Sequence, residues 1–319
     1  MRIGSLTFYE SSLLGMQQQQ SNISRLSQQI STNQRMLQPS DDPVDAVRAL
    51  SLSDSVAQRS QFIENQLKAE VTLKYEKATL DEINQAMLDV RQIMVQLSPS
   101  MDNASRVNLS SQIGAAFNRL YALANTQDSD GNYIFSGDKA KTQAYTTVTP
   151  VGVGPNYTKV VAFQGTQGTN TVTIEAGRTV QVNDSGPAVF GNIFETLYNI
   201  KQIVDVSGSD PESDANFAGN VGDSFNFVQA DITTALNGLD SALQKVNVVS
   251  NRVVGALIDV GSAKTTTTSY LNLDKDSLSD INGLDQAAAI IELQSRQTSL
   301  EAAQRAFARV SGSNLFDFL

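Results

Sequence analysis

The chain has no cysteine, no histidine and no tryptophan in 319 residues. Without cysteine there is no disulfide framework, no thiolate nucleophile and no thiolate-bound zinc. Without histidine the side chain most used as a general base and as a metal ligand is missing too. Serine–lysine or paired-carboxylate chemistry stays open in principle, but no constellation of that kind stands out. No catalytic, cofactor-binding or metal-ligating residue is therefore assigned. Charge is scarce as well. Only 18% of residues are Asp, Glu, Lys or Arg, below the ~25% of an average soluble protein. The net charge of −10 argues against nucleic acid or an anionic membrane surface as partner. No apolar run reaches the ~18 residues of a membrane helix. The first residues, MRIGSLTFYESSLLGM, lack the basic and long apolar regions of a cleaved signal peptide. The expectation is a chain that stays in the cytoplasm or leaves by a route that cleaves no signal peptide.

What the chain does have is helical periodicity at both ends. Over the first 38 residues, Leu13, Met16, Ile23, Leu26, Ile30 and Leu37 recur at helical spacing. The run RMLQPSDDPVDAV (35–47) then punctuates the pattern. Pro39 restricts Gln38 to an extended shape, and Asp42 can cap a new helix whose first residue is Pro43. Asp45 falls in its first turn, where the helix dipole favours a carboxylate. Pro39, Ser40, Asp41, Asp42 and Pro43 are thus read as a structural corner between two helices. The second helix is expected over about Pro43 to Leu97. Its later half carries a near-continuous seam, Leu73, Leu80, Ile83, Met87, Val90, Met94 and Leu97, interrupted only by Glu76. Beyond the Ser98–Pro99 break a third helix carries Val107, Ile113, Phe117, Leu120 and Ala124.

From about Asp128 the texture becomes β-like. DSDGNYIFSG reads as a turn followed by a strand, and VVAFQGTQGTNTVTIEAGRTVQV alternates β-branched residues with glycine and threonine. A short helix with Ile193, Leu197, Ile200 and Ile203 follows, and DVSGSDPESDANFAGN has loop composition. Periodicity resumes near Phe227 in a second long seam from Ile232 to Val260, with Ser250 as its polar member. KTTTTSY weakens the helical pattern, since β-branched threonines are poor helix formers. A last helix is expected over about 285–310, before the apolar ending NLFDFL. DSDGN is not a calcium loop, because Gly131 comes too early and Lys139 stands at the twelfth position. GTQGTN lacks the Gly-Lys-Ser/Thr ending of a phosphate loop.

The expected fold is mainly α with a β-rich insert (α+β). An elongated antiparallel helical bundle or coiled coil forms from the N- and C-terminal halves, with a small outer β domain. Terminal helices would occupy 1–40 and 285–319, a helical rod 41–127 and 191–284, and the insert 128–190. The terminal helices surround their apolar stripes with Gln, Ser, Asn and Thr rather than with Glu and Lys. Neutral polar groups cost less to desolvate than charges when they find partners. Such helices suit burial on several sides, so both ends are expected to be weakly ordered in the monomer and to fold on assembly.

Several stretches carry a family resemblance: the start MRI, the run PSDDPVDAVRAL, the pieces GNYIFSG, FQG and AVFG, and the ending IIELQSRQTSLEAAQRAFARVSGSNLFDFL. Together they resemble the flagellar hook–filament junction proteins, within the flagellin superfamily, over most of the chain. The resemblance implies a structural component of the bacterial flagellum, secreted through the flagellar type III channel without cleavage of a signal peptide. It implies a layer made of copies of the chain between hook-associated protein 1 and the flagellin filament. An export chaperone would hold the C-terminal segment, and no enzyme activity or cofactor is implied. The assembly interface is placed on Met16, Ile23, Leu26 and Ile30 at one end. At the other it is placed on Leu293, Leu300, Ala303, Phe307, Val310, Leu315, Phe316 and Leu319. Flagellin itself, or a secreted adhesion module whose insert binds a surface, are the alternatives.

Overall fold

The computed structural model describes residues 2–98, 101–153, 156–204 and 229–316. In chain order the elements are α1 (Arg2–Thr32), α2 (Pro43–Val95), α3 (Asn103–Ala124), β1 (Tyr145–Val153), β2 (Asn156–Phe163), β3 (Thr171–Glu175), β4 (Arg178–Gln181), α4 (Gly186–Phe190), α5 (Ile193–Val204), α6 (Gln229–Asn282) and α7 (Gln286–Phe316). The chain is mainly helical with a small β region, as the periodicities require. It divides into two compact units, Met1–Ser60 with Thr268–Leu319, and Gln61–Thr267. Each unit draws on both halves of the chain.

In the larger unit, α2 and α6 run antiparallel. Gln66 meets Thr267, Glu70 meets Lys264 and Asn84 meets Asn247. The α2 seam is the core on which α3, α5 and α6 close. Leu73, Leu80, Ile83, Met87, Val90 and Met94 have no exposed surface, and Ile113, Phe117, Leu239, Val246, Val253 and Val260 join them. Burying one such side chain is worth roughly 1.5–3 kcal/mol. Val107, by contrast, points to solvent, and the buried face of α3 begins at Leu109.

Helix boundaries differ from expectation in three places, one of them at α7, which runs on to Phe316 and does not end near Val310. The first helix ends at Thr32, and residues 33–42 form the corner, so Leu37 belongs to a turn. The threonine run does not interrupt α6, which continues to Asn282. There Thr267 is buried against Gln66, and Thr265 Oγ1 donates to the Gly261 carbonyl, so tertiary and local hydrogen bonds outweigh the low propensity. The polar run from Asp205 to Asn220 lies outside the described residues.

The β region is two separate antiparallel hairpins, β1–β2 and β3–β4. Residues 128–137, expected to turn into a strand, make only isolated bridges, Gln127 with Tyr133 and Ser136 with Ser185. Asp128 closes the turn on itself by accepting the backbone N–H groups of Asp130 and Asn132. Gly131 and Gly137, both at φ 71°, then bend the chain away from an extended path. The β3–β4 hairpin is held on the helices by Gln66, whose Nε2 donates to the Ile174 carbonyl at 2.7 Å and to Thr267 Oγ1 at 3.1 Å.

The three short pieces GNYIFSG, FQG and AVFG meet around an aromatic cluster. Phe194 packs edge-on to Phe117 at 5.6 Å between centroids, and Phe190 packs the same way on Phe135 at 5.3 Å. Tyr145 lies 5.2 Å from Phe194. The glycines allow this convergence. A Cβ on Gly137 would lie 2.1 Å from the Thr166 carbonyl oxygen, and one on Gly165 would lie 2.5 Å from that of Ser136.

Phe194→Ala is expected to cost about 3–5 kcal/mol in urea unfolding of the full chain, through the cavity it leaves. Gly137→Ala adds backbone strain of about 1–3 kcal/mol to its steric clash. A loss well under ~1 kcal/mol for either substitution would show that the cluster is not the core of this unit.

Candidate assembly surface

In the smaller unit α1 and α7 pack antiparallel. Tyr9 and Phe307 meet edge-to-face at 5.2 Å, and Gln286 Nε2 donates to Asn33 Oδ1 near the other end of the pair. The stripes singled out from the sequence face each other. Ile23, Leu26 and Leu300 are buried, while Met16, Ile30, Leu293 and Phe307 are half-buried. Ala303 is exposed and lines a groove of about 390 Å³ with Met16, Gly15, Gln19 and Phe307. Val310, Leu315 and Phe316 continue along α7, with their side chains outside the described set, and Leu319 lies outside the described residues.

Sequence reasoning missed two features of this pair. Ala289 is buried as part of the α7 contact; an alanine in an Ala-rich run gives no periodic signal. Each helix also carries a second apolar face that its partner does not cover. Leu13 and Leu14 are 51% and 64% exposed, and Ile290 and Ile291 are 44% and 68% exposed. The adjacent pairs Leu13–Leu14 and Ile290–Ile291 were the available clue. Neighbours in sequence are 100° apart on a helix, so one contact cannot bury both.

The corner is built from both ends of the unit. Asn33 turns the chain at φ 54°, a left-handed conformation that asparagine tolerates. The Arg35 N–H then donates to the Asn282 carbonyl at 2.8 Å, and Gln34 bridges to Gly283. The Arg35 guanidinium adds three contacts. Nε donates to the Ile281 carbonyl at 3.2 Å, Nη1 reaches Asp42 Oδ2 at 3.4 Å, and Nη2 reaches Asp45 Oδ2 at 2.5 Å. Arginine supplies a rigid fork for such multiple acceptors. This role of Arg35 was not legible in the sequence, because its carbonyl partner is 246 residues away.

The two aspartates divide the work. Asp41 Oδ2 accepts the backbone N–H groups of Leu37 and Gln38 at 3.0 and 3.1 Å, which holds the turn before Pro39. Asp42 Oδ1 accepts the Asp45 N–H at 3.1 Å, so Asp42 caps α2 and Pro43 is its first residue, as expected. Ser40 is exposed, its Oγ donating weakly to Gln38 Oε1 at 3.5 Å. Backbone N–H donation, from Gln38 to Asp41 and from Asp45 to Asp42, holds both carboxyls below the ordinary carboxylate range. Against the corner lies an uncharged groove of about 510 Å³, lined by Pro39, Pro43, Val47, Leu50 and Leu278.

Two outcomes follow for the corner. Asp42→Ala lowers the thermal midpoint at neutral pH. Because the folded carboxyl is more acidic than the unfolded one, its stabilisation is present above the ordinary carboxylate range and lost on acidification. The gap between variant and parent therefore closes in acid, and a gap unchanged by acid would count against the capping role. Arg35→Ala is the more damaging change, since it removes contacts to α2 and to the end of α6 together; calorimetry of the two variants ranks them.

Similarity to known proteins agrees with this architecture. The family model of the bacterial flagellin N-terminal helical region matches residues 3–140. The flagellar hook-associated protein 3 of Escherichia coli K12 is 25% identical over 335 residues, covering 99% of both chains. The protein of the same name from Salmonella typhimurium LT2 is 23% identical over 342 residues, again covering 99% of both. Among solved structures, hook-associated protein 3 from Legionella pneumophila superposes with a TM-score of 0.60 at 16% identity, covering 72% of this chain and 98% of that one. The flagellar junction protein FlgL from the same organism gives 0.57 at 16% identity, covering 74% and 99%. Along its whole length the chain is thus similar to flagellar hook-associated protein 3, and over residues 3–140 it matches the bacterial flagellin N-terminal helical region.

Proposed function

We propose that this chain forms the junction layer between hook-associated protein 1 and the flagellin filament, assembling laterally with copies of itself. It is a structural component of the flagellum, and the proposal concerns how it is built in. The observation that carries it is the uncovered apolar face of the terminal pair. α1 and α7 bury one stripe each against one another and leave Leu13, Leu14, Ile290 and Ile291 exposed on helices with few charges. Copies of the same chain, packed side by side, would cover that second face. Among the described residues, only a few positions of α1 and α7 are buried within the chain. At about 1–2 kcal/mol of backbone entropy per ordered residue, contacts from neighbours would contribute much of the pair's stability. The terminal helices would then complete their folding on assembly.

The finer parts of the reading rest on the same surface. Hook-associated protein 1 on one side and flagellin on the other would meet this helical pair, and an export chaperone would hold the C-terminal segment before assembly. The Cys-free, low-charge composition suits passage through the flagellar channel in an unfolded state. The purified chain is not expected to grow long filaments alone, which separates it from a flagellin.

The test is incorporation into flagella by strains carrying Phe307→Asp or Ile291→Asp. Phe307→Asp spoils the α1–α7 contact, whereas Ile291→Asp alters only the uncovered face. Both are expected to leave the larger unit folded by circular dichroism and to abolish swimming, with the variants released into the medium. Normal incorporation of Ile291→Asp would remove the uncovered face from the interface.

A further inference from the structure

Glu76 is the one charged residue in the α2 seam, and its side chain has no exposed surface. Neither carboxyl oxygen makes a well-formed hydrogen bond among the described residues. It lies against Asp184, in the segment that leads from β4 into α4, and against Arg252 of α6, whose Nη2 is 3.5 Å from Glu76 Oε2. Arg252 is already committed. Its Nε donates to Asp184 Oδ2 at 3.1 Å, its Nη2 pairs with the same oxygen, and its Nη1 donates to the Gln181 carbonyl at 3.2 Å. Asp184 Oδ1 accepts from Gln181 Nε2 at 3.1 Å. Two carboxyl groups thus share one guanidinium in a buried site, and Asp184 has the better geometry.

We infer that Glu76, Asp184 and Arg252 form a one-proton clamp that fastens the β3–β4 hairpin and its exit segment onto α2 and α6, and that alkali opens it. One ion pair and one neutral acid satisfy the charges; two buried carboxylates against one half-buried arginine do not. Asp184 and Arg252 are the charged groups acting on Glu76. Burial first, and then the charge of Asp184, push the Glu76 carboxyl up to about 9, against the opposing pull of Arg252. Glu76 is therefore neutral through the neutral range. Its folded carboxyl is less acidic than its unfolded one, so its contribution is complete below the ordinary carboxylate range. That contribution is lost as pH rises through about 9. Ionised, Glu76 competes with Asp184 for Arg252, and the contact that yields is the one to the hairpin segment, because α2 and α6 are also held by their apolar seams. The hairpin would then be the first part of the unit to respond to alkali outside the cell.

Hydrogen exchange of the full chain, followed by mass spectrometry and corrected for the pH dependence of chemical exchange, tests this directly. Protection of residues 171–185 is expected to fall about tenfold or more between pH 8 and pH 10 while α3 keeps its protection, tenfold being the response to one pH unit of ionisation. Glu76→Gln, the neutral isostere, should hold the hairpin's protection flat across that range. Asp184→Asn removes the competing carboxylate and gives Glu76 the arginine, so Glu76 should ionise at a pH lower by about one unit or more. The Glu76 carboxyl carbon, followed by NMR with labelled glutamate, reads this even if the other variant folds poorly. Three results overturn the clamp: an unchanged fall in Glu76→Gln, loss of α3 protection in parallel with the hairpin, or a Glu76 titration that Asp184→Asn does not move.

Discussion

The antiparallel pairing of α2 with α6 supports the other elements, because it joins residues far apart in sequence along two helices of more than fifty residues each. In the larger unit the α2 seam is buried only because α3, α5 and α6 close over it. In the smaller unit Arg59 of α2 pairs with Asp274 of α6 at 2.6 Å and lies over the ring of Tyr270 at 4.9 Å. Neither half of the chain holds a complete core, so a chain ending before α6 would leave the side of the α2 seam that α6 covers facing water. A helix of this length without such a partner has little to hold it beyond propensity.

Upon that pairing the polar groups do two kinds of work. Gln66 and Thr267, both buried, set the register of α2 against α6 and at the same time hold the Ile174 carbonyl of the hairpin. A buried polar contact of this kind fixes alignment better than apolar packing, which tolerates sliding by a turn. Glu76 and Arg252 extend the same logic to the exit of β4, with a proton added to the set of partners. The insert is therefore bonded to the helices at several points.

The terminal pair follows a different economy of surface. α1 and α7 have apolar residues enough for two faces, and among the described residues Leu13, Leu14, Ile290 and Ile291 stay exposed once the two helices have packed together. Charges would keep such faces apart in water; here glutamine, serine and asparagine surround them instead. Those groups lose less on desolvation, which suits helices that meet neighbours on several sides. The corner, with Arg35 joining the ends of α1, α2 and α6, holds the start of this surface in one arrangement.

Much of this was legible in the sequence because it rests on local chemistry. The α2 seam, the Asp42 cap, Pro43 at the first helical position and the two stripes on the terminal helices are set by spacing and by bonds within one turn. The resemblance carried by PSDDPVDAVRAL and the ending rests on the same local runs. The tertiary structure alone decided what depends on residues distant in the chain. It placed Arg35 on the Ile281 carbonyl, carried α6 through four threonines by burying one of them, and turned GNYIFSG from a strand into a glycine-kinked core segment. It also showed that the predicted stripes face each other, which leaves Leu13, Leu14, Ile290 and Ile291 for a partner. Periodicity states which face of a helix is apolar, but only the packed chain determines which of two apolar faces is already covered.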